Sequence, residues 1–285
     1  MNFYCYLPAG SGPARPAVPA GNFGKPWTQR KVLLVGLGDS VTAGWGVPSG
    51  YGYFDRLAKN VPDEFADMKG LCLSATIPKL SVLNLAVSGS DSFYHLQKEI
   101  AAFKVQDADV LGLVVMTTGG NDIIHSYGRS PPREGAMYGA TAEQAKPWSA
   151  NFRARLEEMI RQLRGKFPGG CHIFIADIFN PTDGAGVPWF VPYPAWKDAT
   201  EVLSQYNQVI HDVCRAEQNV HLIPMHDAFL GHGFCCRQFW KGCYCRQDPT
   251  FWYCSIIEDP NARGYDAIRR LFLLEIAKAF QSGGN

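Results

Sequence analysis

The sequence predicts an α/β protein, a three-layer α/β/α sandwich around a five-stranded parallel sheet of the flavodoxin-like type. Five short runs are rich in Val, Leu and Ile and lack polar alternation, which is typical of strands covered on both faces. Amphipathic stretches with helical spacing separate these runs. Strand–helix alternation of this kind favours parallel pairing through right-handed crossovers.

The elements follow one another along the chain without a repeat. The predicted strands lie at 32–37, 80–87, 110–117, 171–178 and 219–225. The predicted helices lie at 50–60, 92–104, 148–167, 196–216 and 262–280. Because ligands bind at the carboxyl ends of the strands in such a sheet, we expect the function to reside in the segments that follow each strand.

The composition indicates one globular domain. The chain of 285 residues is 46% hydrophobic and 19% charged, which excludes a disordered protein. Residues 1–29 are predicted to form an extended N-terminal arm. Residues 30–285 are predicted to form a single domain, because no composition break divides this range. Two long loops are predicted at 125–147 and 226–258, either as lids over a site or as structural flaps.

Charge and cysteine content bear on partners and location. The net charge of +1 gives no reason to expect nucleic acid as a partner, and no apolar run is long enough for a membrane span. The absence of a signal peptide favours the cytoplasm. Five of the nine cysteines crowd into 235–254, which favours an exported protein with at least one disulfide in this loop; free buried thiols are the alternative. The oligomeric state is left open.

The segment "GLGDSVTAGWG" after the first predicted strand is the first candidate for chemistry. It lacks the third glycine of a dinucleotide fingerprint, because Val41 stands there. It also lacks the Lys-Ser or Lys-Thr of a phosphate loop, and Thr42 replaces the last glycine of the G-x-S-x-G elbow. Ser40 is therefore either a nucleophile or, with Asp39, part of a helix cap.

Further motifs favour the nucleophile. Gly38-Asp39-Ser40, Gly89 and Gly119-Gly120-Asn121-Asp122 follow successive predicted strands, and "DPNARGY" precedes the last predicted helix. This ordered set resembles the motif blocks of the SGNH (GDSL-type) hydrolases.

The resemblance implies a serine ester hydrolase without cofactor or metal. Ser40 would attack a carboxylic ester of a small molecule or carbohydrate, such as a short acyl or O-acetyl ester, and form an acyl-serine intermediate. The backbone N–H groups of Ser40 and Gly89 and the side-chain amide of Asn121 would bind the oxyanion. An acyltransferase, or a non-catalytic ligand-binding protein on the same scaffold, is the alternative.

The last block departs from the family pattern Asp-x-x-His-Pro-Asn. Asp259 stands where the histidine belongs, and Ile256 stands where the aspartate belongs. We predict His232, between two glycines after the last strand, as the general base, with Asp259 as its orienter or its substitute. The competing interpretation is that His232 is an ordinary loop residue.

Overall fold

The computed structural model describes residues 9–125, 138–185, 195–254 and 259–282. Its sheet has five parallel strands in the order β2-β1-β3-β4-β5. The strands are β1 (Lys31–Gly38), β2 (Leu80–Asn84), β3 (Val110–Thr117), β4 (Cys171–Ala176) and β5 (Val220–Ile223). The predicted fold class is confirmed, since helices flank this sheet on both faces.

The described helices lie between and after the strands. They are α1 (Ser40–Ala43), α2 (Tyr53–Ala58), α3 (Leu73–Thr76), α4 (Ser92–Tyr94), α5 (Gly120–Ile124), α6 (Ala142–Lys166), α7 (Ala199–Ala216), α8 (Met225–Phe229) and α9 (Ala262–Ser282). A π-helical turn, His95–Ile100, continues α4, and 3₁₀ turns lie at Ala20–Phe23 and Ala66–Met68. None of the described helices has the length and apolar character that a membrane span requires.

Two apolar cores cover the two faces of the sheet. Leu34 of β1 belongs to the core formed with α2 and α9, and the neighbouring Val35 belongs to the core formed with α6 and α7. Successive strand residues point to opposite faces, so strands buried on both faces need the continuous apolar runs that the sequence shows.

Two expectations for these elements are corrected. The strand β2 is largely exposed rather than covered on both faces, because it stands at the sheet edge and pairs with β1 alone. Helix α6 begins at Ala142, inside the loop predicted at 125–147. Thr141 and Gln144 form a capping box there, which outweighs the helix-breaking tendency of Pro147 in the second turn.

The N-terminal segment packs along α9. The backbone N–H of Gly10 donates to the carbonyl of Phe251 at 2.9 Å, and that of Ala14 donates to Asp266 Oδ2 at 2.8 Å. Residues 1–8, and with them Cys5, lie outside the described part of the chain.

Asp266 is the centre of a buried ion cluster. Its carboxylate accepts hydrogen bonds from Arg269 at 2.6 Å and Arg270 at 2.8 Å, and it lies 3.4 Å from Arg56. Glu64 accepts from Arg56 and Arg269, which outweighs the effect of burial and lowers its pKa to about 2. The cluster joins α2, α9 and the N-terminal segment, and removing one partner leaves uncompensated buried charge.

We therefore expect Asp266→Asn to lower the free energy of unfolding by about 3–5 kcal/mol in urea denaturation. The matched control is Asp109→Asn, because Asp109 pairs with Lys31 at 2.9 Å with both side chains 60% exposed. An exposed pair contributes at most about 1 kcal/mol. Equal losses for the two variants would contradict a structural role for the cluster.

Candidate active site

The carboxyl end of β1 turns sharply into α1. Gly38 has a φ of +122°, and a Cβ there would lie 2.0 Å from the carbonyl oxygen of Thr117 on the neighbouring strand. Glycine is therefore required at this turn. Asp39 caps α1 by accepting from the Val41 N–H at 3.1 Å, and Ser40 is the first helical residue.

Asp39 holds the β1 and β3 ends together. Its Oδ1 also accepts from the Thr117 hydroxyl at 2.8 Å, and Thr117 Oγ1 lies 2.8 Å from Thr42 Oγ1. Burial raises the pKa of Asp39 to about 7 despite these hydrogen bonds. Its polar contacts join the turn to the end of β3, so Asp39 supports the geometry at Ser40.

Asp259 lies against Ser40. Burial raises the pKa of Asp259 to about 6, and the interaction with the Ser40 side chain opposes this shift. The side chain is almost fully buried, and its Oδ1 has no hydrogen-bond partner among the described residues. Ile256, which takes the place of the family aspartate, lies outside them.

Asn121 and the loop after β2 meet beside the same turn. Asn121 stands near the start of α5, and its Nδ2 donates to the carbonyl of Ser90 at 2.8 Å. The amide nitrogen carries a second hydrogen, which this bond does not use. Gly89 has a φ of +82° and is exposed, so its backbone is open to close approach by a ligand.

The Ser90 hydroxyl is the centre of a buried network that the sequence did not reveal. It lies 2.8 Å from His95 Nε2, 2.7 Å from the carbonyl of Val87 and 3.1 Å from that of Gly38. His95 Nδ1 lies 3.0 Å from Thr118 Oγ1. Burial lowers the pKa of His95 to about 4, so the ring is neutral and joins the two loops through hydrogen bonds alone.

Glu99 joins this network from the next turn of the same helix. Its Oε2 accepts from the Gly38 N–H at 2.9 Å, and its Oε1 lies 3.4 Å from Ser90 Oγ. Burial raises the pKa of Glu99 to about 7, with the nearby Asp39 adding to the shift. His95 and Glu99 stand four residues apart in the π-helical turn. That spacing is the signal in the sequence that could have indicated that both side chains face Ser90.

Asp122 supports α5 from the other side. Its carboxylate accepts from the backbone N–H of Ser92 at 2.9 Å and from the Ser92 hydroxyl, and it pairs with Arg155 of α6 at 3.2 Å. These contacts hold the segment that carries Asn121 against α4 and α6.

His232 has a different environment. Its ring stacks on Trp252 with centroids 3.6 Å apart, and its Nδ1 lies 3.1 Å from the carbonyl oxygen of Thr250. Burial lowers the pKa of His232. His232 is not among the residues that line the pocket beside Ser40, whereas Asn121 lines that pocket and Asp259 interacts with the Ser40 side chain.

An apolar pocket of about 170 Å³ opens beside Ser40. Polar residues that line it include Ser40, Thr118 and Asn121. Its apolar walls come from the segments after β3, β4 and β5 and from α7; they include Ile123, Ile178, Phe179, Trp196, Leu203 and Met225. A cavity of about 150 Å³ with apolar walls accommodates a molecule of the size of benzene. The pocket is therefore large enough for a group of about that size.

The disulfide predicted within 235–254 is not formed. No disulfide joins the cysteines in the described part of the chain. Cys236 is buried in the core, whereas Cys235 faces the Thr182 carbonyl, so consecutive cysteines point to different surroundings. Burial raises the pKa of the Cys235 thiol to about 11 and that of Cys236 to about 12.

No group of three or more metal-ligating side chains occurs among the residues described. Ser40, Asp259 and Asn121 lie together at the carboxyl edge of the sheet. The model of the GDSL-like Lipase/Acylhydrolase family matches residues 37–267. The chain belongs to this family.

Individual relatives are distant. The uncharacterized protein YpmR of Bacillus subtilis (strain 168) is 20% identical over 205 residues, 71% of this chain and 70% of that protein. A lipase from Streptomyces rimosus superposes with a TM-score of 0.52 at 17% identity, over 86% of this chain and 99% of its own. An acetyl xylan esterase from Geobacillus stearothermophilus superposes with a TM-score of 0.50 at 18% identity, over 87% and 94% of the chains. At these identities the structural likeness shows the fold.

The raised pKa of Glu99 generates a stability prediction. Between its ordinary pKa of 4.5 and about 7, the folded protein holds a proton that the unfolded chain has released. The stabilisation from Glu99 is therefore lost as the pH rises through this window. We expect the unfolding free energy of wild type to fall relative to Glu99→Gln by up to about 3 kcal/mol between pH 4.5 and pH 8.

Urea denaturation across this pH range measures the difference. Glu157→Gln is the control, because Glu157 lies on the exposed face of α6. A constant difference between wild type and Glu99→Gln would show that Glu99 titrates normally.

Proposed function

We propose that the protein hydrolyses carboxylic esters through an acyl-serine intermediate on Ser40. The observation that carries the proposal is the interaction of the Ser40 side chain with the buried Asp259 carboxylate, beside an apolar pocket that Ser40 also lines. Membership of the acylhydrolase family supports the reaction class.

Asp259 serves as the base in this proposal. Its carboxylate takes the Ser40 proton as Oγ attacks the ester carbonyl, and the resulting carboxylic acid returns the proton to the leaving alkoxide. In the second half of the reaction Asp259 takes a proton from water, which attacks the acyl-serine, and Ser40 leaves with that proton. A pKa of about 6 makes this carboxylate a stronger base than an exposed aspartate.

The oxyanion donors proposed from the sequence fit beside this dyad. The backbone N–H groups of Ser40 and Gly89 and the unused hydrogen of Asn121 Nδ2 are the three donors. The bond from Asn121 to the Ser90 carbonyl fixes the amide before substrate binds, which is the preorganisation that oxyanion stabilisation requires. The rival proposal has His232 as the base. The interaction of Asp259 with Ser40 favours Asp259.

The pocket indicates the acyl group. Apolar side chains make up most of its walls, and its volume exceeds what an acetyl group fills. We therefore favour an acyl group of about six carbons over the acetyl esters that the family resemblance implied. An acyltransferase would use the same dyad and pocket with an alcohol in place of water.

The first test compares p-nitrophenyl acetate with p-nitrophenyl hexanoate. We expect a higher kcat/KM for the hexanoate, no activity in Ser40→Ala, and a loss of about 100- to 1,000-fold in kcat for Asn121→Ala. Intact mass after treatment with an alkyl phosphonate should show one adduct in wild type and none in Ser40→Ala. An adduct in Ser40→Ala would refute Ser40 as the nucleophile.

The second test separates the two candidate bases. In pre-steady-state acylation, we expect Asp259→Asn to lose about 100- to 10,000-fold and His232→Gln to retain the wild-type rate. Because the base must be ionised, the acylation rate should rise with pH up to about 6 and then level off. Asp227→Asn is the control, since Asp227 is exposed beside His226. Loss of acylation in His232→Gln alone would make His232 the base.

A further inference from the structure

Several exposed apolar side chains lie in segments that follow the carboxyl ends of strands, as Ser40 does. Within the described part of the chain, Trp45, Val87, Phe239 and Trp240 are large apolar residues that are exposed in segments following the carboxyl ends of strands. The other such residues are Val82 and Leu83 on the edge strand and Val105 before β3. Clustered exposed apolar groups mark interaction surfaces, whereas scattered ones carry no meaning.

Phe239 and Trp240 are the most exposed of these residues, at 74% and 67%. They occupy the tip of residues 237–242, here called the finger loop. The two rings contact each other edge to face, with centroids 5.1 Å apart and an interplanar angle of 85°. Burying two large aromatic side chains is favourable, and these two forgo that free energy while they are exposed. A partner that covers them would provide it.

The base of the finger loop is fixed to the wall of the Ser40 pocket. The Phe234 N–H donates to the carbonyl of Pro181 at 2.9 Å, and Pro181 lines the pocket. Asp183 accepts backbone N–H bonds from Gly231 at 2.9 Å and Cys235 at 2.8 Å. The base of the finger loop therefore has a defined position relative to the pocket.

Cationic residues flank the aromatic tip in the sequence. Arg237, Lys241 and Arg246 are exposed, and the sequence contains no Asp or Glu from 228 to 247. The next acidic residue, Asp248, is buried and paired with Arg263 at 2.6 Å. The overall net charge of +1 conceals this local excess of positive charge.

We propose that the finger loop docks this edge of the protein on an anionic lipid surface. Phe and Trp side chains insert at the boundary between headgroups and acyl chains, and nearby Lys and Arg are attracted to lipid phosphates. Rings set nearly perpendicular do not offer the flat platform on which a sugar ring would stack. The inference rests on the proposed function for its purpose, since docking would present the Ser40 pocket to esters held in the surface.

Co-sedimentation of the full chain with vesicles tests the proposal. We expect binding to vesicles of phosphatidylcholine with phosphatidylglycerol, and much weaker binding to phosphatidylcholine alone. Phe239→Ser with Trp240→Ser should weaken binding at least about 10-fold. Arg237→Gln with Lys241→Gln should weaken it about 20-fold at low salt, since each cation near such a surface contributes about fivefold. Val105→Ser is the control, because Val105 is 62% exposed at the opposite edge of the sheet.

The outcomes separate this proposal from the proposed activity. Ser40→Ala should bind vesicles as wild type does, whether or not the protein hydrolyses esters. Failure of wild type to bind anionic vesicles, or equal binding by the finger-loop variants, overturns the proposal. Self-association of wild type that Phe239→Ser with Trp240→Ser abolishes, without any vesicle binding, would identify a second copy of the chain as the partner. Retention on acetylated xylan that the finger-loop variants lose, without vesicle binding, would identify a carbohydrate as the partner.

Discussion

The arrangement around Ser40 depends on one buried hydroxyl, that of Ser90. It lies within hydrogen-bond distance of the Gly38 and Val87 carbonyls and of the His95 ring, while its own backbone carbonyl accepts from Asn121. The nucleophile turn, the glycine loop and the Asn121 segment thus meet at a single residue. Each of these segments follows a different strand, so the sheet alone could not fix their spacing to the precision that catalysis requires.

Buried carboxylates give this region its electrostatic character. Asp259 raises the pKa of Asp39, and Asp39 raises that of Glu99, in addition to the dominant effect of burial. Near neutral pH these three carboxyl groups together carry fewer than three negative charges, because ionising one disfavours ionising the next. The arginines that neutralise buried acids elsewhere, at Asp266 and Glu64, pair within their own cluster beside α9. Asp39, Glu99 and Asp259 thus give the region around Ser40 an acidic character, whereas arginines neutralise the buried acids beside α9.

The sequence predicted the parts of the molecule whose signal is local. Continuous apolar runs predicted the strands, and short glycine-containing motifs located Ser40, Gly89 and Asn121 beside them. The exposure of β2 could not be predicted, because an edge strand and a central strand of a parallel sheet have similar apolar runs. The start of α6 was missed because Pro147 conceals a helix that a capping box initiates. The prediction of a disulfide within 235–254 was wrong, because spacing along the chain does not report the direction of each cysteine side chain.

Contacts between distant segments were beyond the reach of sequence patterns. The Ser90 network joins the segments after β1, β2 and β3 through Gly38, Ser90 and Thr118, and nothing in one sequence specifies that these segments pack together. The same limit applies to the base. In the usual triad a histidine of near-neutral pKa takes the serine proton and a second carboxylate orients it. Here the Asp259 carboxylate lies beside the serine, and burial raises its pKa toward the range in which a histidine works. In the mechanism that we propose, this carboxylate needs no orienting partner, because a carboxylate oxygen has no tautomer to select. Isoleucine in the place of the family aspartate agrees with that mechanism.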